Sequence, residues 1–123
     1  MARLYDTSIL IDHLRGTAAA RHLILSDPDV LHASEITRIE VLAGLRPAET
    51  AVTEAFLRLF TFHPVNRQAA ELAGTFGRRY RPSRSGIDTP DLAIAATATC
   101  LGLDLVTRNI KHFPMFPGLA SPY

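Results

Sequence analysis

Disulfides are out of reach for this chain, because Cys100 is its single cysteine in 123 residues. The same scarcity excludes thiolate metal sites that need several cysteines and fits a reducing, cytoplasmic setting. Charge of one sign is missing as well. The 13 Lys and Arg residues face 12 Asp and Glu for a formal net charge of +1, so any attraction to nucleic acid has to come from how the charges are arranged. Long hydrophobic runs are absent too. The longest uncharged apolar stretch, residues 92–103, is too short to span a bilayer and suits a buried helix. The opening Met1-Ala2-Arg3-Leu4-Tyr5-Asp6 has neither an apolar signal core nor the acid-free character of a transit peptide. No membrane role is expected. What remains is 47% hydrophobic and 20% charged, the profile of a folded globular protein with one core, a single domain over residues 1–123.

Strand and helix signals alternate along the chain. Leu4-Tyr5 reads as a short strand ending at Asp6, and Thr7-Ser8 supply hydroxyl caps for a helix carrying Ile9, Leu10 and Leu14 until Gly16. A helix over residues 17–25 and a strand over 30–33 follow. Thr37-Arg38-Ile39-Glu40 matches the T-x-x-E capping box, which starts a third helix that runs to Pro47. Further helices are predicted over 48–59 and 67–80, with an extended segment at 60–65 between them. Residues 78–86 hold four arginines with Pro82 and Gly86 and read as a flexible loop. Thr89-Pro90 opens an Ala/Thr-rich helix to Leu101, and a strand over 103–107 follows Gly102. Such βα alternation implies an α/β fold with a mainly parallel sheet flanked by helices.

Asp6, Glu40, Asp88 and Asp91 each open a predicted helix, directly or shortly after a predicted strand. Each has a local explanation: Asp6 as a turn residue, Glu40 as third member of a capping box, Asp88 as an N-cap, Asp91 in a first turn. Taken together they point elsewhere. The carboxyl ends of parallel strands share one edge, so acids from distant segments converge there, repel one another and call for a cation. Carboxylate oxygens suit Mg²⁺ or Mn²⁺, and such a site favours phosphodiester cleavage by an activated water.

Three blocks carry a family resemblance: Tyr5-Asp6-Thr7-Ser8-Ile9-Leu10-Ile11-Asp12, then 34–45 from Ser34-Glu35-Ile36 to Ala43-Gly44-Leu45, then Asp91-Leu92-Ala93-Ile94-Ala95-Ala96-Thr97-Ala98 with Leu105-Val106-Thr107-Arg108-Asn109. In this order the chain resembles the PIN-domain ribonucleases of the VapC kind, the toxin halves of VapBC type II toxin–antitoxin pairs, from Asp6 to Phe113. The resemblance implies a three-layer α/β/α sandwich and an endoribonuclease using one or two Mg²⁺ or Mn²⁺ ions per subunit. It further implies a homodimer and a VapB-type antitoxin whose C-terminal segment lies across the active-site groove. Asp6, Glu40 and Asp91 would be the catalytic, metal-binding acids. The fourth family position, often Asp, is Asn109 here, one negative charge fewer. Asp88, one turn before Asp91, is a candidate further ligand or a plain N-cap, and Thr107 and Asn109 are candidates for orienting water.

Arg78, Arg79, Arg81 and Arg84, with Tyr80 among them, suit an RNA backbone or an acidic antitoxin segment, and equally a solvated loop. The five histidines show no helical zinc spacing, and Asp12 with Arg15 reads as a surface pair. An aspartyl-phosphate phosphohydrolase would want a second acid where Ser8 stands. A PIN fold that has lost its chemistry and serves as an interaction module is the other alternative.

Overall fold

Leu4 and Tyr5 point to opposite sides of one short strand, and the two cores of the molecule grow around them. The structure, a computed structural model, describes residues 2–123. The strand, β1 (Arg3–Tyr5), leads into α1 (Thr7–Leu14) and α2 (Ala18–Ser26); β2 (Leu31–Ser34) leads into α3 (Glu35–Ala43) and α4 (Thr50–Leu57). Then come β3 (Phe60–His63), α5 (Arg67–Tyr80), α6 (Thr89–Leu101) and β4 (Asp104–Val106). The strands form one parallel sheet in the order β3-β2-β1-β4, with Leu4 in register with His32 on one side and Leu105 on the other.

Tyr5, Ala33 and Phe60 face the first core, completed by Ile9, Leu10, Ala20, Ile24, Val41, Phe56 and Leu57 from the first four helices. Leu4 and Leu105 face the second, filled by Ile94, Ala95 and Ala98 of α6 and by Phe113. Helix α6 is buried from Asp91 to Ala98, which explains its small side chains: the sheet lies against one side and α5 against another. Gly77 lets α5 approach so closely that a Cβ there would lie 3.1 Å from Leu92 Cδ1. Gly102 closes α6 in the left-handed conformation, φ 65°, with its N–H on Ala98 O and Thr99 O.

Several boundaries differ from the sequence expectation. The third helix starts at Glu35 rather than Thr37, because Ser34 at the end of β2 caps it, accepting from Ile36 N at 3.0 Å. The Thr37-to-Glu40 run therefore lies inside the helix and is no capping box. The loop expected over 78–86 is mostly helical: α5 ends at Tyr80, as expected, and a 3₁₀ turn then spans Arg81–Ser83. Pro82 fits that turn because a missing N–H costs nothing in a first turn. Only residues 84–88 are left as loop. The fourth helix begins as a 3₁₀ turn, Pro47–Glu49, and ends at Leu57. Among the described residues, no helix is long and apolar enough to cross a membrane.

Candidate active site

With β1 flanked by β2 on one side and β4 on the other, the chain runs outward from β1 through β2 to β3 and then returns to add β4 beside β1. Between β1 and β4 the connections diverge, leaving a crevice at the strands' carboxyl ends. A cleft of about 470 Å³ occurs there, and its lining includes Asp6, Glu40, Asp88, Asp91 and Asn109.

Asp6 follows β1 directly, its N–H on Val106 O at 2.9 Å. It sits at the N-cap of α1 without using its side chain as a cap. That side chain is spent elsewhere: Oδ2 accepts from Ser8 Oγ at 2.9 Å and from Thr107 Oγ1 at 2.7 Å. Thr107 is wholly buried just after β4 and also accepts Asn109 N at 2.9 Å, so its only proton goes to Asp6. Oδ1 of Asp6 has no hydrogen-bond partner among the described residues, yet it is not a buried orphan; it opens on the cleft.

Asp91 repeats this arrangement at the start of α6. Asp88 caps the helix, Oδ1 accepting from Asp91 N at 3.0 Å, while Asp91 Oδ2 accepts from Asp88 N at 3.3 Å. His112 Nδ1 lies 3.1 Å from the same Oδ2. Burial, then the neighbouring Asp88 and the charge of Asp6, push the Asp91 carboxyl up to about 7. Glu40 reaches in from α3, where Oε1 accepts from Thr7 Oγ1 at 2.7 Å. Each of the three acids thus has one oxygen held by a donor of the protein, and Asp91 in addition lies against the Asp88 carboxyl.

The basic side chains of the cleft are Arg15, Arg108 and His112. Arg108 NH1 is 2.9 Å from Asp12 Oδ2, which also accepts from Tyr123 Oη at 2.7 Å, and its guanidinium lies 5.2 Å above the Tyr123 ring. Asp12 thus pairs with Arg108, 96 residues away, in place of the expected pair with Arg15, because β4 brings Arg108 alongside α1. None of Arg78, Arg79, Arg81 and Arg84 lines the cleft. Arg78 donates to Thr75, Arg79 lies over the Tyr80 ring, and Arg81 donates to Ile87 O and Thr89 Oγ1 in front of Asp88.

Sequence reasoning missed His112, Arg108 and Tyr123 as neighbours of the acids, and read Thr7 and Ser8 as helix caps only. No local pattern marks Thr7, Arg108, His112 or Tyr123, since each acts across a gap in sequence, whereas Ser8 reaches Asp6 only two residues back. Elsewhere, His32 Nδ1 and His63 Nε2 are 2.8 Å apart on adjacent strands, a pairing visible only once β2 and β3 are in register. Among the described residues, no three His, Cys, Asp or Glu side chains draw close enough to cage one ion. Mg²⁺ does not require a cage: one or two carboxylates with several waters and a substrate phosphate complete its shell.

The chain matches the sequence profile of the PIN domain over residues 3–115. It is 45% identical over 124 residues to "Ribonuclease VapC19" of Mycobacterium tuberculosis, covering 98% of this chain and 99% of that protein. In structure it is similar to a chain of the "Toxin-antitoxin complex from Klebsiella pneumoniae", with a TM-score of 0.80 and 32% identity over 99% of this chain and 98% of that one. It is likewise similar to a chain of "DNA bound VapBC from Salmonella typhimurium", with a TM-score of 0.82 and 25% identity over 98% and 97%.

Proposed function

This chain belongs to the PIN-domain family, and from that premise we propose that it is a metal-dependent endoribonuclease, the toxin of a VapBC type II toxin–antitoxin pair, folded as one domain over residues 1–123. The observation that carries the reading is the convergence of Asp6, Glu40 and Asp91: three acids from three distant segments, each with one oxygen anchored by a donor of the protein, line one cleft. The donor set fits Mg²⁺ or Mn²⁺, being all hard oxygen, and the Asp91 carboxyl, raised first by burial and then by its acidic neighbours, is one that a cation would help to ionise.

Asp6, Glu40 and Asp91 would hold one or two ions per subunit, each ion through one or two carboxylates with water completing its shell, and Asp88 and Asn109 stand at the edge of the set. A bound Mg²⁺ or Mn²⁺ supplies Lewis-acid chemistry, lowering the pKa of an attacking water and neutralising charge on the scissile phosphate. The rest falls to the chain. Ser8 and Thr107 keep Asp6 in one rotamer, Asp88 and His112 do so for Asp91, and Asn109 offers an uncharged amide that can orient water. Arg15 and Arg108 at the cleft attract the RNA backbone. Arg78, Arg79 and Arg84 extend that attraction along α5 or meet an acidic antitoxin segment; Arg81 serves chiefly to brace the loop. Two solved relatives named as toxin–antitoxin or VapBC complexes support a cognate VapB-type antitoxin; a homodimeric toxin and a cytoplasmic site of action complete the proposal.

The test is cleavage of total cellular RNA by purified, antitoxin-free protein with Mg²⁺ or Mn²⁺, beside an EDTA control and Asp6→Asn. Discrete products requiring both the metal and Asp6 are expected. No cleavage from folded, metal-loaded protein turns the reading to the PIN-fold interaction module, which the neutral Asn109 at a commonly acidic position favours.

A further inference from the structure

Thr37 and Glu40 are spaced as a capping box, yet α3 is already capped by Ser34 and begins at Glu35. Three residues apart within one helix, their side chains lie on the same side, and that side meets the first turn of α1. Thr7 Oγ1 is 2.9 Å from Thr37 Oγ1 and donates to Glu40 Oε1 at 2.7 Å, across 30 and 33 residues of sequence.

The direction of this chain of hydroxyls follows from counting protons. A carboxylate has none to give, and a threonine has one. Thr7 spends its proton on Glu40, so between the two threonines Thr37 is the donor and Thr7 the acceptor. Thr37 is fully buried, without access to water, while Glu40 is exposed. A long side chain in solvent would sample several rotamers, and the buried hydroxyl behind Thr7 ties it to one.

We propose that Thr7 and Thr37 are positioning residues: a directed relay, Thr37 to Thr7 to Glu40, fixes Oε1 and so presents Oε2 as the oxygen that would serve a cation. The role rests on the metal-site reading above. It gives the T-x-x-E spacing of α3 a purpose other than capping, and it makes the first residue of α1 serve the acid on α3 while its neighbour Ser8 serves Asp6.

The experiment is titration of the metal-free full chain with Mn²⁺, followed by the paramagnetic resonance signal of the free ion, with thermal melts on every variant. Thr7→Val, which keeps shape and loses the hydroxyl, is expected to weaken Mn²⁺ binding by about tenfold, the lower end for loss of a hydrogen bond behind a ligand. Thr7→Ser restores the hydroxyl and binds as wild type. Thr37→Val weakens binding less, and Thr37→Ser, which keeps the donor, covers the case in which valine at this buried position fails to fold. Glu40→Gln supplies the decisive arm: Thr7→Val added to it produces no further loss, because Thr7 acts through Glu40. Equal losses from Thr7→Val in both backgrounds, a Thr7→Ser as weak as Thr7→Val, or a Thr7→Val that binds normally each overturn the relay while leaving the metal site standing. A wild-type protein without specific Mn²⁺ affinity overturns the metal-site reading, and the relay with it.

Discussion

At the scale of residues, two of the three acids, Asp6 and Glu40, have a hydroxyl behind the carboxylate, while Asp91 has the Asp88 amide and the His112 ring. Asp6 shows the arrangement most fully, since Thr107 and Ser8 both donate to Oδ2. Thr107→Val removes one donor with little change of shape, so Asp6 is held by Ser8 alone and Asn109 N loses its acceptor. The expected result is Mn²⁺ affinity reduced by about tenfold, read by calorimetric titration, with the fold retained. Unchanged affinity would mean that Ser8 suffices and Thr107 is a strand-end residue of no consequence for the acid. Arg81 separates from its neighbours at the same scale. Its guanidinium joins the last turn of α5 to Ile87 O and Thr89 Oγ1, a structural use that leaves Arg79 and Arg84 as the freer cations of the group.

At the scale of elements, helix α6 depends on both its ends. Asp88 and Asp91 cap it reciprocally, and the Arg81 strut fixes the turn that delivers Asp88 to its place. Arg81→Ala is expected to lower the stability of the whole domain by about 1 kcal/mol, the usual worth of hydrogen bonds at a half-exposed position. Arg84→Ala, whose side chain has no partner among the described residues, is expected to change stability by less than about 0.5 kcal/mol. Urea denaturation of the two variants side by side decides the matter, and equal effects would remove the strut. Helix α3 shows the opposite economy: the β2 residue Ser34 is its cap, so no residue separates strand from helix, and Thr37 and Glu40 are released for use across the cleft.

At the scale of the whole molecule, β1 and α2 are tied together by Asp27. Burial alone would raise its carboxyl, but the Tyr5 hydroxyl at 2.6 Å, the Asp29 amide at 2.9 Å and Arg3 at 3.4 Å outweigh burial and hold it below the ordinary carboxylate range. A carboxyl with a lowered folded-state pKa contributes stability that is complete above the unfolded value, near 4, and is lost as pH falls through the folded value. Urea midpoints measured downward from neutral pH should therefore fall at acid pH, and Asp27→Asn should flatten that part of the curve. A variant with the wild-type slope would assign the acid sensitivity to other carboxylates.

The alternating strands and helices, the parallel sheet, and the places of Asp6 at the end of β1 and Asp91 in the first turn of α6 were determined by the sequence itself, whereas Glu40, expected near a helix start, lies in the second half of α3. Apolar period, breakers such as Gly102, and helix-start residues such as Thr89-Pro90 are local signals that act within a few residues. The three resemblance blocks added the family on the same footing. Tertiary structure alone decided which oxygen of each acid is held, that Thr37 joins Thr7 instead of opening a helix, and that the cleft's arginines are Arg15 and Arg108 rather than those at the end of α5 and just beyond it. The physical reason is distance along the chain. Thr107 meets Asp6 across 101 residues and Thr7 meets Glu40 across 33, and such contacts follow from the strand order and register of the folded sheet, which no short window of sequence contains.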